Sequence, residues 1–104
     1  MRISKEEISA IKESLQSFDN SPASTVYLYG SRVHNELKGG DIDLIWVVGG
    51  DNEQVKNLNI DKYKIVSMLK SKIGDQRIDL SIISTPESST DPFYKECIKN
   101  GIKL

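Results

Sequence analysis

Gly30-Ser31 is separated by nine residues from Asp41-Ile42-Asp43, and a third acid, Asp79, stands later in Arg77-Ile78-Asp79-Leu80-Ser81. A short apolar run, Val26 to Tyr29, enters the Gly-Ser pair, and a second apolar run leaves with two acids at its start. A glycine at a strand-to-helix turn lets backbone come close to a ligand, and the N–H groups that open the next helix point at any anion held there. A nucleoside triphosphate tail suits that place, with the Ser31 hydroxyl beside it and Arg32, His34 or Lys38 available to neutralise phosphate charge. Carboxylates two apart on a strand project to one side, so Asp41 and Asp43 are forced together while Ile42 and Leu44 pack on the other face. Like charges oppose each other's ionisation, and a divalent cation resolves the conflict; Mg²⁺, which takes one or two carboxylates with water and phosphate oxygens, fits such a pair. If Asp79 lies on a neighbouring strand, all three acids converge. Two-metal sites use a cluster of this kind to stabilise the attacking and leaving oxygens at phosphorus, and Asp79 is also suited to accept the proton of an attacking hydroxyl. The layout points to nucleotidyl transfer.

These residues need a frame. Ser4 and Glu7 fit a capping box, and Ile8, Ile11, Leu15 and Phe18 recur at helical spacing, which predicts an amphipathic helix over 4–18, ended by Asn20-Ser21-Pro22. Residues 25–29 are β-branched and aromatic and read as a strand. A short helix over 31–37 follows, broken by Lys38-Gly39-Gly40. Residues 42–48 are apolar on both alternating faces, as expected of a central strand covered by helices on both sides, and Gly49-Gly50-Asp51-Asn52 closes it. Val66, Leu69 and Ile73 predict a helix over about 60–73, with Gly74 where a left-handed cap is wanted. Residues 77–83 form the third strand, and Asp91-Pro92 through Gly101 punctuate a C-terminal helix. The order αβαβαβα predicts one α/β domain: a small mixed sheet of about three strands flanked by about four helices, in two or three layers.

Composition narrows the function classes. A chain of 104 residues supports one core. Its formal charge of -1, with Lys and Arg spread along the chain, lacks the basic stripe that grips a phosphodiester backbone. The first residues carry no apolar segment, and no run is long enough to cross a bilayer, so the expected location is cytoplasmic. Cys97 is the single cysteine, which excludes an internal disulfide and Cys-x-x-Cys metal sites; it reads as a small apolar residue in a helix. His34, the single histidine, reads as solvent-facing or phosphate-adjacent rather than as a catalytic base. Trp46 and Tyr63 read as core or partner-facing aromatics, and Lys62, Lys64, Lys70 and Lys72 as the solvated face of the helix that carries them.

Leu28-Tyr29-Gly30-Ser31-Arg32, nine residues from Arg32 to Gly40, then Asp41-Ile42-Asp43-Leu44 and later Ile78-Asp79-Leu80, resemble the DNA polymerase β nucleotidyltransferase superfamily. The likeness is greatest to its minimal, stand-alone branch, and the ending from Phe93 to Leu104 resembles the terminal helix of such domains. The resemblance implies the polymerase β palm-like fold and transfer of a nucleoside monophosphate from an NTP, ATP foremost, to a hydroxyl with release of pyrophosphate. It implies Asp41, Asp43 and Asp79 as catalytic residues and Mg²⁺ ligands, for two ions, and Gly30, Ser31 and Arg32 as triphosphate contacts. It further implies a helical HEPN-type partner encoded nearby, in a toxin–antitoxin module where the nucleotidyltransferase AMPylates that partner. Where many relatives have Ala-Arg-Gly after Gly-Ser-Arg, this chain has Val33, His34 and Asn35.

The alternative function is a non-catalytic antitoxin that neutralises a helical partner by occlusion. Each half of the motif is an ordinary turn or strand edge when taken singly; their conjunction carries the chemistry. Asp43 and Asp79 sit between branched apolar residues, where an unpaired charge is costly, and Arg77 is a candidate structural partner for Asp79.

Overall fold

The computed structural model describes residues 3–30 and 41–104. Helix α1, Lys5–Phe18, starts at the expected capping box: the Ser4 hydroxyl accepts from the Glu7 N–H at 3.0 Å, and Glu7 Oε1 accepts from the Ser4 N–H at 3.1 Å. Strand β1 covers Thr25–Tyr29 and β2 covers Ile42–Val48, as their residue types predict. The expected helix at 31–37 and its breaker at 38–40 lie outside the described residues. Helix α3, Lys62–Ile73, and strand β3, Ile78–Ser84, also appear where their periodicity places them. Gly74 has the positive φ expected after α3, but its ψ of 169° is extended rather than left-handed helical.

Three elements were not anticipated. Helix α2, Asn52–Ile60, buries only Val55 and Leu58, too few to show as a stripe in a segment rich in asparagine. Its N-cap was visible, because Asp51 accepts from the Gln54 N–H at 2.8 Å. Helix α4, Thr85–Thr90, buries nothing and is specified by Ser84, which caps the Glu87 N–H, and by Pro86 in its first turn. The terminal helix α5, Pro92–Asn100, stops before the chain end. Ile102–Lys103 then form a two-residue strand β4 against β1 instead of continuing the helix. Gly101 makes this possible: a Cβ there would lie 2.7 Å from the carbonyl oxygens of both Leu28 and Cys97. The described residues therefore hold four strands and five helices, against the expected three and four.

The sheet order is β3-β2-β1-β4. β1 pairs antiparallel with both β2 and β4, whereas β2 and β3 run parallel, joined through α2 and α3. Alternation divides the side chains between two unequal faces. Leu28, Ile42, Leu44, Trp46, Val48, Leu80 and Ile82 pack with Ile11 and Leu15 of α1, Val55 and Leu58 of α2, and Ile65 and Leu69 of α3 into the main core. The opposite face has a small cluster, Ile45, Val47 and Ile83, covered by Tyr94, Cys97 and Ile98 of α5 together with Tyr27 and Tyr29. β2 is thus apolar on both faces from Leu44 onward, while Asp43 near its start is only half-buried. No helix among the described residues is long and apolar enough to cross a membrane.

Candidate active site

Asp41 and Asp43 precede and open β2 on the face that α5 covers only in part. The parallel register sets Asp43 beside Asp79 on β3, and the antiparallel register sets Tyr29 beside Asp43 on β1. Carboxylate oxygens of Asp41, Asp43 and Asp79 consequently lie within 4.8 Å of one another. Opposite oxygens around one Mg²⁺ are about 4.2 Å apart, so rotation of the carboxylates brings this set onto an ion. The convergence follows from strand adjacency, the one condition that the spacing of the residues left open.

Electrostatics mark Asp43 as the strained member. Its carboxyl is pushed up to about 6 by burial, then by the charges of Asp79 and Asp41 and a hydrogen bond shared with Asp79, while Arg77 opposes the shift. A hard-oxygen set in which one acid resists ionisation is a donor set that a divalent cation would relieve. Arg77 does not serve as the structural partner expected for Asp79. Its Nε lies 3.3 Å from Asp41 Oδ2, and with its side chain 76% exposed the pair contributes little, so the cluster has no buried counter-charge among the described residues. Asp79 itself is exposed rather than buried. The flanking Ile78 and Leu80 face the main core, and Asp79 faces the open side.

Gly30 ends β1 with φ +79°, a conformation that side chains disfavour. Any Cβ here would collide with Asp43 Oδ2. Gly30 thus brings bare backbone against the carboxylate cluster. Ser31, Arg32, His34 and Lys38 lie outside the described residues.

Two residues at the site were missed in the sequence. Tyr29 packs against the small apolar cluster, beside Asp43 in the register of β1 and β2 and near Ser81 of β3. Burial first, then Asp43, raises its pKa and keeps the phenol protonated. The signal was parity: Tyr29 shares a face with Asp43 through its register, and Ser81 shares one with Asp79 two residues earlier. Cys97, half-buried on α5, has its thiol pushed up by burial, then by Glu96 and Asp43, and fits the apolar role expected of it. Trp46 belongs to the main core, whereas Tyr63 is 70% exposed. Comparisons with protein-family models, curated proteins and solved structures find no match.

Proposed function

We propose that the chain is a Mg²⁺-dependent nucleotidyltransferase of the minimal polymerase β type. It transfers a nucleoside monophosphate, AMP from ATP foremost, to a hydroxyl on a partner protein. The observation that carries this reading is the approach of Gly30 backbone to a three-carboxylate cluster drawn from two parallel strands. Asp41, Asp43 and Asp79 would hold the metal, which when bound supplies charge neutralisation at the phosphate oxygens. Gly30, with Ser31 and Arg32 beyond it, would seat the triphosphate on the β1 side of the cluster.

Asp79 stands on β3, at the opposite edge of the sheet from β4, and is the exposed member of the set. An acceptor hydroxyl arriving there gives its proton to Asp79 as its oxygen bonds to the α-phosphorus; the bond to the bridging oxygen breaks, and pyrophosphate leaves. A HEPN-type helical protein remains the proposed acceptor, and a toxin–antitoxin module the proposed setting. The occlusion alternative needs a docking surface, and Ile60, Tyr63 and Phe93 are large apolar side chains more than half exposed on the helices. Either role is compatible with such surface, and catalysis separates them.

The test is intact-mass measurement of the protein encoded beside this one after incubation with the chain, Mg²⁺ and each NTP. Gain of one or more nucleoside monophosphates, abolished by Asp43→Asn, supports transfer. No gain with any NTP, alongside tight association of the two proteins, supports occlusion instead.

A further inference from the structure

β3 is an edge strand, and the ladder fixes which of its backbone groups face outward. The Ile42 N–H donates to the Arg77 carbonyl at 2.9 Å, and Ile42 lies opposite Ile78 in the parallel register. Peptide groups alternate in direction along a strand, so Arg77, Asp79, Ser81 and Ile83 turn theirs toward β2, and Ile78, Leu80 and Ile82 turn theirs away from the sheet. The Ile82 carbonyl agrees with that parity, because it accepts from Asn59 Nδ2 of α2 at 3.1 Å. Ile78 and Leu80 have no such cover: among the described residues nothing bonds their outward N–H and C=O groups. The free stretch of edge is therefore the end of β3 that carries Asp79, and Asn59 closes the other end.

Unpaired backbone at a sheet edge is a template for another strand. Edges are commonly blocked by Lys or Pro, and Ile78–Ser84 contains neither; Asp79 is its one charge. That charge decides which strand fits. A second copy of this chain, paired antiparallel through the free groups alone, sets Ile78 against Leu80 of the copy and the two Asp79 carboxylates directly opposite each other, which like charge opposes. A segment with an uncharged residue at that point meets no such cost. Because the peptide groups of Asp79 are turned to β2, the incoming residue opposite it belongs to a non-hydrogen-bonded pair, with Cα atoms about 4.5 Å apart and both side chains on one face. That face is the one where Asp41 and Asp43 lie, and Asp79 is exposed on it.

We propose that the acceptor segment of the partner binds as an antiparallel strand added to β3, with a hydroxyl-bearing residue opposite Asp79. The residues on either side of it exchange backbone hydrogen bonds with Ile78 and Leu80, and the hydroxyl stands beside the acid that takes its proton. The substrate is then an extended peptide segment rather than a residue on a helix surface, an assignment that rests on the nucleotidyl-transfer reading. Backbone bonds set the register, and the Asn59 cap keeps the added strand at the acid end of β3.

Amide hydrogen exchange, followed by NMR on the intact chain with and without the protein encoded beside it, tests the docking separately from the chemistry. In the free chain the Ile78 and Leu80 amides should exchange faster than those of Asp79 and Ser81, which are held by β2. Addition of the neighbour should slow Ile78 and Leu80 and leave Asp79 and Ser81 unchanged. Once mass spectrometry has located the modified residue, synthetic peptides spanning it provide the second arm. N-methylation of either flanking residue should lower transfer by about tenfold, since it removes a donor and leaves a β3 carbonyl unpaired. N-methylation of the acceptor residue itself, whose N–H points away from β3, should leave transfer unchanged. Transfer without protection of Ile78 and Leu80, equal sensitivity to all three methylations, or protection that rises with the chain's own concentration in the absence of the neighbour would overturn strand addition by the partner. Protection without transfer from any NTP would sink nucleotidyl transfer and leave the added strand standing; absence of both would overturn the two together.

Discussion

The two faces of the sheet are built to opposite specifications from the same three long strands. On one, α1, α2 and α3 bury a continuous set of branched side chains; on the other, α5 covers three residues, with Cys97 near enough to feel the charge of Asp43, and Asp79 stays exposed. A face without a lid is a poor source of stability, but it is where carboxylates can sit close together and remain accessible to an ion and a substrate. Adjacent residues of β2 show the division most sharply: Leu44 is fully buried in the main core, and Asp43 points the other way into the cluster.

Leu44→Ala should therefore have the largest effect on folding. Removing a fully buried leucine leaves a cavity in the main core and costs about 2–5 kcal/mol. The expected result is a lower urea midpoint with an unchanged slope. A loss below about 1 kcal/mol would mean that the two faces share the stabilising load, and the contrast would fail.

How much of this division was legible in the sequence depended on how local its signals are. β1 and β2 were readable because their residue types and turn punctuation are written within a few positions, and α1 because Ser4 and Glu7 cap it. The acid pair was readable for the same reason: Asp41 and Asp43 need only the period of a strand to face together. The third carboxylate required knowledge that β3 lies beside β2, a pairing between residues 36 apart, Asp43 and Asp79, that no local pattern encodes. α4 and β4 were missed because they bury almost nothing, and periodicity detects burial rather than backbone geometry. The pairing of Arg77 with Asp41 likewise follows from the β2–β3 register, a tertiary fact.

Asp43→Asn should act in the opposite sense to Leu44→Ala, with a smaller magnitude. The folded carboxyl is pushed up to about 6, whereas an unfolded one titrates near 3.8, so the fold holds this proton more tightly than the unfolded chain does. The stabilisation that this gives is complete below about pH 4 and is lost as pH rises through about 6. In metal-free protein near pH 7.5, Asp43→Asn should then raise stability, by roughly 1 kcal/mol once solvent screening of this largely accessible group is allowed for. On the proposed metal site, adding Mg²⁺ should reverse the ranking, because an ion that binds only the folded wild type raises its melting temperature and leaves the variant's unchanged. Melts at both pH values, with and without Mg²⁺, check all three statements. Destabilisation of the metal-free protein at neutral pH would remove the electrostatic distinction between the faces.

The smallest effect sharpens the comparison from the packed side. Ser14 of α1 is fully buried, and its Oγ has no hydrogen-bond partner among the described residues. α1 packs mainly on α3, and a small side chain at this position lets the two helices approach. Ser14→Ala keeps that size, removes an oxygen that water cannot reach, and improves helix propensity, so a gain of about 0.5–1 kcal/mol is expected. Unlike the gain at Asp43, it should be independent of pH and Mg²⁺, since no titrating or metal-binding group is involved. Identical increments in urea midpoint at pH 4 and 7.5, with and without Mg²⁺, are the result to look for. That result would make the unsatisfied group on the packed face a simple packing cost, in contrast to the ion-dependent effect expected of the carboxylate on the open face. A pH-dependent gain at Ser14 would place it in contact with the charged side of the sheet and contradict the separation of the two faces.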